Sequence, residues 1–133
     1  MRHNFSSGLP MEGQIGYSRA VRMDDTLYVS GTAPVDDHGK VVGGTTYEQA
    51  RYAFRKVEAV LSRAGYTRTD AVMVRVYLVD GADFGQAMQA YSEAFGAANA
   101  AMTVLNVLPF GLPGMLLEVE LTAVRDNPGA DRT

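Results

Sequence analysis

The chain has 133 residues, of which 47% are apolar and 20% charged, with a net charge of −3 and no cysteine. This length and composition predict one folded domain and exclude a disordered chain, disulfides, thiolate nucleophiles and thiolate metal sites. Because the chain has two histidines and no run of Lys or Arg, we expect no metal site, no cofactor and no nucleic-acid partner. No apolar stretch of about 18 residues and no signal peptide is visible, which predicts no membrane span and a cytoplasmic location.

The first half of the chain is predicted to form a β-hairpin, a long helix and a strand. The hairpin covers residues 17–31 and turns at two consecutive aspartates. Residues 45–48, Thr-Thr-Tyr-Glu, have the spacing of a capping box, and the apolar residues behind them recur with helical period from about 46 to 64. Gly65 stands where a left-handed C-terminal cap belongs, and residues 71–79 then form a strand with two largely apolar faces.

The second half of the chain is predicted to add one helix and two strands. Apolar residues recur at helical spacing from Phe84 until Gly96. Two β-rich segments follow at 102–108 and 115–125, and the loop between them is rich in Pro and Gly, which cannot join a strand ladder. Residues 126–133 contain Asn-Pro-Gly, which predicts a flexible tail.

This order of elements predicts an α+β fold in which two helices pack on one face of a sheet. We expect one domain over residues 1–133 with its core at about 14–125. Two helices leave the second face of the sheet bare, although the central strand directs Met73, Tyr77 and Val79 to it. Because a bare apolar patch commonly marks an interface, the sequence predicts an oligomer; ordinary scattered surface residues are the alternative.

Two carboxylates on the last strand are candidates for acid/base chemistry. Glu118 and Glu120 are two residues apart, so they share the bare face with Thr122, while the apolar residues between them face the helices. Partial desolvation near an interface would raise the pKa of such a carboxyl group towards the range useful for proton transfer. The alternative is that both are solvated charges that prevent unwanted strand pairing.

Several short motifs, in their order and spacing, resemble the reactive intermediate deaminase family, also called the Rid or YjgF-like family. The resemblance covers about residues 14–125 and rests on segments 15–18, 27–34, 74–80 and 117–124, on the helix start at 49–51, and on Phe84 with Tyr91. It implies a chorismate-mutase-like fold with a mixed sheet, and a homotrimer whose sheets pack into a central barrel. In typical members the ligand pocket lies between subunits, and the activity is hydrolysis of enamine or imine intermediates to keto acids and ammonia.

The resemblance also implies site residues. Tyr17 and Ser30 match pocket positions of the family, and Glu120 matches the carboxylate that handles the attacking water. Typical deaminating members bind the substrate carboxylate with an arginine on the penultimate strand, where a guanidinium acts as a bidentate fork. In this chain that position falls at Met102 or Thr103, and both are uncharged.

Further departures make the implied pocket more apolar than a keto-acid site. Asn106 stands where many relatives have a glutamate, and Met88 replaces an asparagine of the second helix. With Met88, Met102 and Leu105 in its wall, such a pocket favours a bulkier or less charged ligand. The residues predicted to bind this ligand are Tyr17, Ser30, Met88, Met102, Thr103, Leu105 and Asn106.

We therefore expect a divergent Rid-like enzyme with a pocket between subunits, in which Glu120 acts as acid and base on a small enamine, imine or carbonyl compound. Hydrolytic deamination, tautomerisation and cyclisation all fit, because each moves a proton beside a polarised double bond. One alternative is a non-catalytic ligand-binding or regulatory trimer, and an endoribonuclease is disfavoured by the negative net charge. Another alternative keeps deamination and binds the substrate carboxylate through Arg19, Arg22 or Arg75.

Overall fold

The computed structural model describes residues 1–125, so the flexible tail predicted at 126–133 lies outside the described residues. The strands are β1 (Arg2–Phe5), β2 (Ala20–Met23), β3 (Thr26–Thr32), β4 (Ala71–Val79), β5 (Ala101–Val107) and β6 (Leu117–Val124). The helices are α1 (Pro10–Ile15), α2 (Thr46–Ala64) and α3 (Phe84–Phe95). The strands form one sheet in the order β1-β2-β3-β6-β4-β5. Because β4 and β5 pair in parallel and the other neighbours are antiparallel, the predicted α+β fold with a mixed sheet is confirmed.

The two long helices begin and end where local sequence predicts. Thr45 accepts a hydrogen bond from the backbone of Glu48 at 3.1 Å, and the Glu48 carboxylate accepts one from the backbone of Thr45 at 3.2 Å. This capping box satisfies backbone donors that the first helical turn leaves free. Gly65 closes α2 with a φ of 87°, a left-handed conformation that glycine adopts without strain. Asp83 caps α3 by accepting from the backbone of Gln86 at 3.0 Å.

Helices α2 and α3 cover one face of the sheet and form the core with it. Phe54 of α2 lies between two rings of α3, with ring centroids 5.8 Å from Tyr91 and 5.7 Å from Phe95. Alternate residues of β6 lie beneath the helices, and these are the buried Leu117, Val119, Leu121 and Ala123. Since the intervening residues of β6 point away, the other face of the sheet is free of α2 and α3.

The N-terminal segment adds a strand and a helix that the sequence patterns do not predict. Residues 1–125 contain three α-helices rather than the two predicted, and the additional helix α1 ends at Gly16 with a φ of 94°. Its buried side chain is a charged one, Glu12, which is 6% exposed and accepts hydrogen bonds from the Ser6 hydroxyl at 2.8 Å and the Ser7 backbone at 3.0 Å. Strand β1 extends the hairpin by pairing with β2. Within residues 1–125 no helix combines the length and apolarity needed to span a bilayer.

Candidate functional site

The face of the sheet opposite α2 and α3, here called the uncovered face, carries both apolar and charged side chains. Tyr28 on β3 and Leu105 on β5 are 54% and 50% exposed. Between them the strand register places Arg75 of β4 beside Glu120 of β6 on one side and beside Thr103 of β5 on the other. The predicted position of Glu120 on the bare face is therefore confirmed, and it lies in a row of polar residues that crosses the sheet.

Glu120 is held by two neighbours from β4. The hydroxyl of Tyr77 donates a hydrogen bond to Oε1 of Glu120, and Nη1 of Arg75 lies 3.7 Å from the same oxygen. The hydrogen bond to Glu120 raises the pKa of the Tyr77 hydroxyl, so that Tyr77 stays a donor at neutral pH. Among the described residues, Oε2 of Glu120 has no hydrogen-bond donor, which leaves one carboxylate oxygen available to accept a proton from a bound water or ligand.

A β-bulge in β3 lies directly opposite Glu120. The register between β3 and β6 shifts between Val29 and Thr32, so two residues, Ser30 and Gly31, face a single residue of β6. Bulges of this kind bend a strand and redirect its side chains, and they are common beside functional sites. Here the bulge brings the predicted ligand residue Ser30 next to the predicted catalytic residue Glu120.

Ser30 also lines a cavity of about 640 Å³ together with Tyr17. The hydroxyl of Ser30 donates to the carbonyl of Ser18 at 2.7 Å, so it offers a ligand its lone pairs rather than its proton. Polar side chains from β1 and α1 complete the wall, among them Arg2, Asn4 and Glu12. The cavity therefore suits a polar small molecule with its own hydrogen-bond donor.

The second carboxylate, Glu118, lies over the bulge in a drier environment. A Cβ atom at Gly31 would stand 2.9 Å from Oε1 of Glu118, so glycine leaves the space that this carboxylate occupies. Burial raises the pKa of Glu118, and the positive charges of Arg19 and Lys56 oppose the shift. Arg19 donates to the carbonyl of Gly31 at 2.5 Å, and burial lowers the pKa of its guanidinium. The two glutamates thus have different surroundings: Glu118 lies beside Arg19 and Lys56, and Glu120 beside Tyr77 and Arg75.

The predicted ligand residues do not all meet on the uncovered face. Met88 and Met102 pack against the core on the helix side of the sheet. Asn106 pairs in register with the buried Leu78, so it lies on the helix side of the edge strand β5. The predicted site residues that lie on the uncovered face or in its cavity are Tyr17, Ser30, Thr103, Leu105 and Glu120.

The arginines considered as carboxylate ligands also divide between the two faces. Arg22 points to the helix side, where its guanidinium lies 3.5 Å from the carbonyl of Ala64 at the end of α2. Arg75 faces the uncovered side and pairs with Glu120. Arg19 is close to both Glu118 and Gly31.

Sequence reasoning missed Tyr77 as a partner of Glu120. The strand alternation predicts that Tyr77 lies on the bare face, but its contact with Glu120 depends on the register between β4 and β6, which the alternation does not give. The alternation also predicts Val79 on the bare face, whereas in the structure Val79 is buried. Within residues 1–125 no three carboxylate or imidazole groups converge as ligands of a metal ion would.

Comparison with known proteins gives consistent similarities. Residues 11–125 match the sequence pattern of the family described as Endoribonuclease L-PSP. The chain is 33% identical over 113 residues to a RutC family protein of Pyrococcus horikoshii, covering 83% of this chain and 87% of the relative. It is 34% identical over 116 residues to the 2-iminobutanoate/2-iminopropanoate deaminase of Homo sapiens, covering 85% and 83%. A solved YjgF/YER057c/UK114 family structure from Mycobacterium tuberculosis has a TM-score of 0.83 at 32% identity, covering 94% of this chain and 100% of that one.

Proposed function

The chain belongs to the YjgF/RutC/Rid family, and from this premise we propose that it hydrolyses a small enamine or imine on the uncovered face of its sheet. A deaminase-like role on small molecules is supported at the level of the family, because relatives include imine deaminases. The observation that carries the proposal to this chain is Glu120, held by Tyr77 and Arg75 with one carboxylate oxygen free.

Glu120 serves as the general base and then as the acid in the proposed reaction. An enamine first takes up a proton on carbon to become the protonated imine. Oε2 of Glu120 accepts a proton from water while the water oxygen bonds to the carbon of the protonated imine, giving a neutral carbinolamine. The same proton then passes to the nitrogen, the carbon–nitrogen bond breaks as the hydroxyl group returns its proton to Glu120, and a carbonyl compound and ammonia are released. Tyr77 and Arg75 orient the carboxylate for both transfers.

Burial of the uncovered face between three copies of the chain would complete the site. Apolar side chains surround the polar row on this face, including Tyr28, Met73 and Leu105. A homotrimer with its sheets around a central barrel would remove these side chains from water. Exclusion of water would also strengthen the interactions that Glu120 makes with Arg75. The ligand pocket would then lie between subunits.

The arginines of the uncovered face limit the substrates that fit. Strand β5 contains no arginine, Arg75 is paired with Glu120, and one Nη group of Arg19 already donates to Gly31. A substrate carboxylate would therefore depend on the remaining donors of Arg19 or on Arg2 in the cavity wall. This shortage favours imines that are less charged than those derived from small amino acids, and it also favours the second candidate function, a ligand-binding trimer without turnover.

Ammonia release tests the proposal directly. The substrates are 2-aminoacrylate and its four-carbon homologue, each generated in the assay by a dehydratase, together with an imine that has an unsubstituted nitrogen and no carboxylate. We expect wild-type protein to accelerate ammonia release from at least one of them, and Glu120→Gln to lose at least about 100-fold of that rate. Asp80→Asn is the matched control, because it makes the same change at an exposed turn after β4.

The possible results separate the two candidate functions. If ammonia release is accelerated only from the imine that has no carboxylate, the missing arginine excludes substrates derived from small amino acids. If ammonia is released from all three compounds no faster than without protein, the ligand-binding trimer is favoured. An undiminished rate in Glu120→Gln would contradict the assigned role of this residue.

A further inference from the structure

A second cavity lies on the helical side of the molecule, away from Glu120. It has a volume of about 280 Å³ and opens between α2, α3 and the short 3-10 helix Arg68–Asp70. Arg51 and Arg55 of α2 and Arg68 of the 3-10 helix line it, and we call it the arginine groove. No strand contributes to its wall, so the groove is separate from the uncovered face.

The arginine groove carries excess positive charge. Its wall contains three guanidiniums and two carboxylates, Glu58 and Glu93, in a chain whose net charge is −3. Within residues 1–125 none of the three arginines forms an ion pair within 4.0 Å. The carboxylate of Glu93 is instead held by the Tyr47 hydroxyl at 2.5 Å and by Gln89 at 3.3 Å. Arg51 interacts with the Tyr47 hydroxyl and with the charge of Glu93, whereas among the described residues no carboxylate lies within 4.0 Å of the guanidiniums of Arg55 and Arg68.

The guanidiniums of the groove repel one another. Arg51 and Arg55 are four residues apart on α2, a spacing at which like charges are unfavourable, although Glu48 and Glu58 each lie three residues from one of them. The 3-10 helix adds Arg68, so that three guanidiniums share the cavity with the two carboxylates of Glu58 and Glu93. An anion bound between the three side chains would relieve the repulsion, and guanidiniums bind phosphate and carboxylate groups through paired hydrogen bonds.

We propose that the arginine groove binds a compact oxyanion with at least two negative charges, such as a phosphorylated or polycarboxylate metabolite. The volume lies near the lower limit of small-molecule pockets, which favours a ligand of this size over a macromolecule. Arg51 and Arg55 bind the anion from α2, and Arg68 binds it from the 3-10 helix. The site does not depend on the function proposed for the uncovered face.

Titration with three probes tests the arginine groove. Inorganic pyrophosphate, inorganic phosphate and citrate are added at constant ionic strength, and binding is followed by calorimetry and by the arginine Nε–Hε resonances in NMR spectra. We expect one saturable site per chain for pyrophosphate or citrate, with shifts at Arg51, Arg55 and Arg68. A tenfold preference for pyrophosphate assigns a phosphate ligand, and the reverse preference assigns a polycarboxylate.

The double variant Arg51→Gln/Arg68→Gln should bind the preferred probe at least tenfold more weakly. Arg63→Gln removes one positive charge from the same helix outside the groove and should bind within about twofold of wild type. Pyrophosphate should raise the thermal midpoint of wild type and not that of the double variant, whose midpoint without anion shows that it folds. Absence of saturable binding at 10 mM of every probe, or equal weakening in Arg63→Gln, would overturn the proposal.

Discussion

The two faces of the sheet differ although the same strands build both. In β6 the residues that point towards α2 are Leu117, Val119, Leu121 and Ala123, and all are buried. The residues between them point to the uncovered face and include two carboxylates, Glu118 and Glu120. A carboxylate can remain there because Tyr77, Arg75 and Arg19 surround the pair with donors and positive charge. The helix-covered face therefore stabilises the fold, and the uncovered face is available for chemistry.

The largest effect on stability is expected on the covered face. Phe54→Ala removes a fully buried ring that packs against Tyr91 and Phe95, and it should lower the free energy of unfolding by about 3–5 kcal/mol. Thr122→Ala on the uncovered face should change it by less than about 1 kcal/mol. Urea unfolding at one protein concentration measures both. An equal loss of unfolding free energy in the two variants would contradict the claim that the covered face stabilises the fold more than the uncovered face does.

A smaller effect, on rate rather than stability, is expected at Tyr77. Tyr77→Phe removes the hydroxyl that donates to Glu120 and keeps the ring. Losing one hydrogen bond to a charged group should lower kcat by about tenfold. Tyr52→Phe is the matched control, because Tyr52 lies on α2 and its loss of a hydroxyl should leave kcat unchanged. If Tyr77→Phe keeps the wild-type kcat, Tyr77 does not position Glu120.

The smallest effects concern the pH dependence of stability. At neutral pH the charge of Glu12 should stabilise the fold, and the charge of Glu118 should destabilise it. Hydrogen bonds, above all from the Ser7 hydroxyl, lower the pKa of Glu12. The folded protein thus binds this proton more weakly than the unfolded chain, so the stabilisation is present above the unfolded pKa of about 4.3 and is lost as the pH falls through the folded value. Glu12→Gln should be less stable than wild type at pH 7, and the difference should shrink in acid.

Glu118 provides the opposite case because burial raises its pKa. The folded protein holds this proton more tightly, so the charged form costs stability once the pH rises above about 4.3, and the cost is complete above the raised folded value. Glu118→Gln should be more stable than wild type at pH 7 and equal to it in acid. Urea midpoints at pH 7 and pH 3.5 measure both variants, and the same sign for the two would contradict the assigned environments.

Local patterns in the sequence were sufficient for the long elements of the fold. Helix α2 has a capping box, a continuous apolar stripe and a glycine at its end, and each of these depends on residues close together in the chain. The alternation in β6 likewise assigned Glu118 and Glu120 to the bare face. Such features are predictable because neighbouring residues determine them.

Features that depend on distant contacts were not predictable. Helix α1 is short and has no apolar stripe that would predict it from the sequence. Its buried residue is a glutamate, whose carboxylate accepts hydrogen bonds from Ser6 and Ser7. The bulge at Ser30 and Gly31 follows from the pairing of β3 with β6, which are far apart in sequence. The resemblance to a family grouped Met102 with the ligand residues, whereas in this chain its side chain packs against the core.

Two adjacent residues of β6 provide the most direct test, because Glu120 faces the uncovered side and Leu121 the helices. The measurement is the ammonia-release rate per folded molecule together with the free energy of unfolding, for Glu120→Gln and Leu121→Ala. We expect Glu120→Gln to lose at least about 100-fold in rate with stability within about 1 kcal/mol of wild type. Leu121→Ala should lose about 2–5 kcal/mol of stability and keep its rate per folded molecule. A wild-type rate in Glu120→Gln, or a 100-fold loss of rate in folded Leu121→Ala, would contradict the division between the two faces.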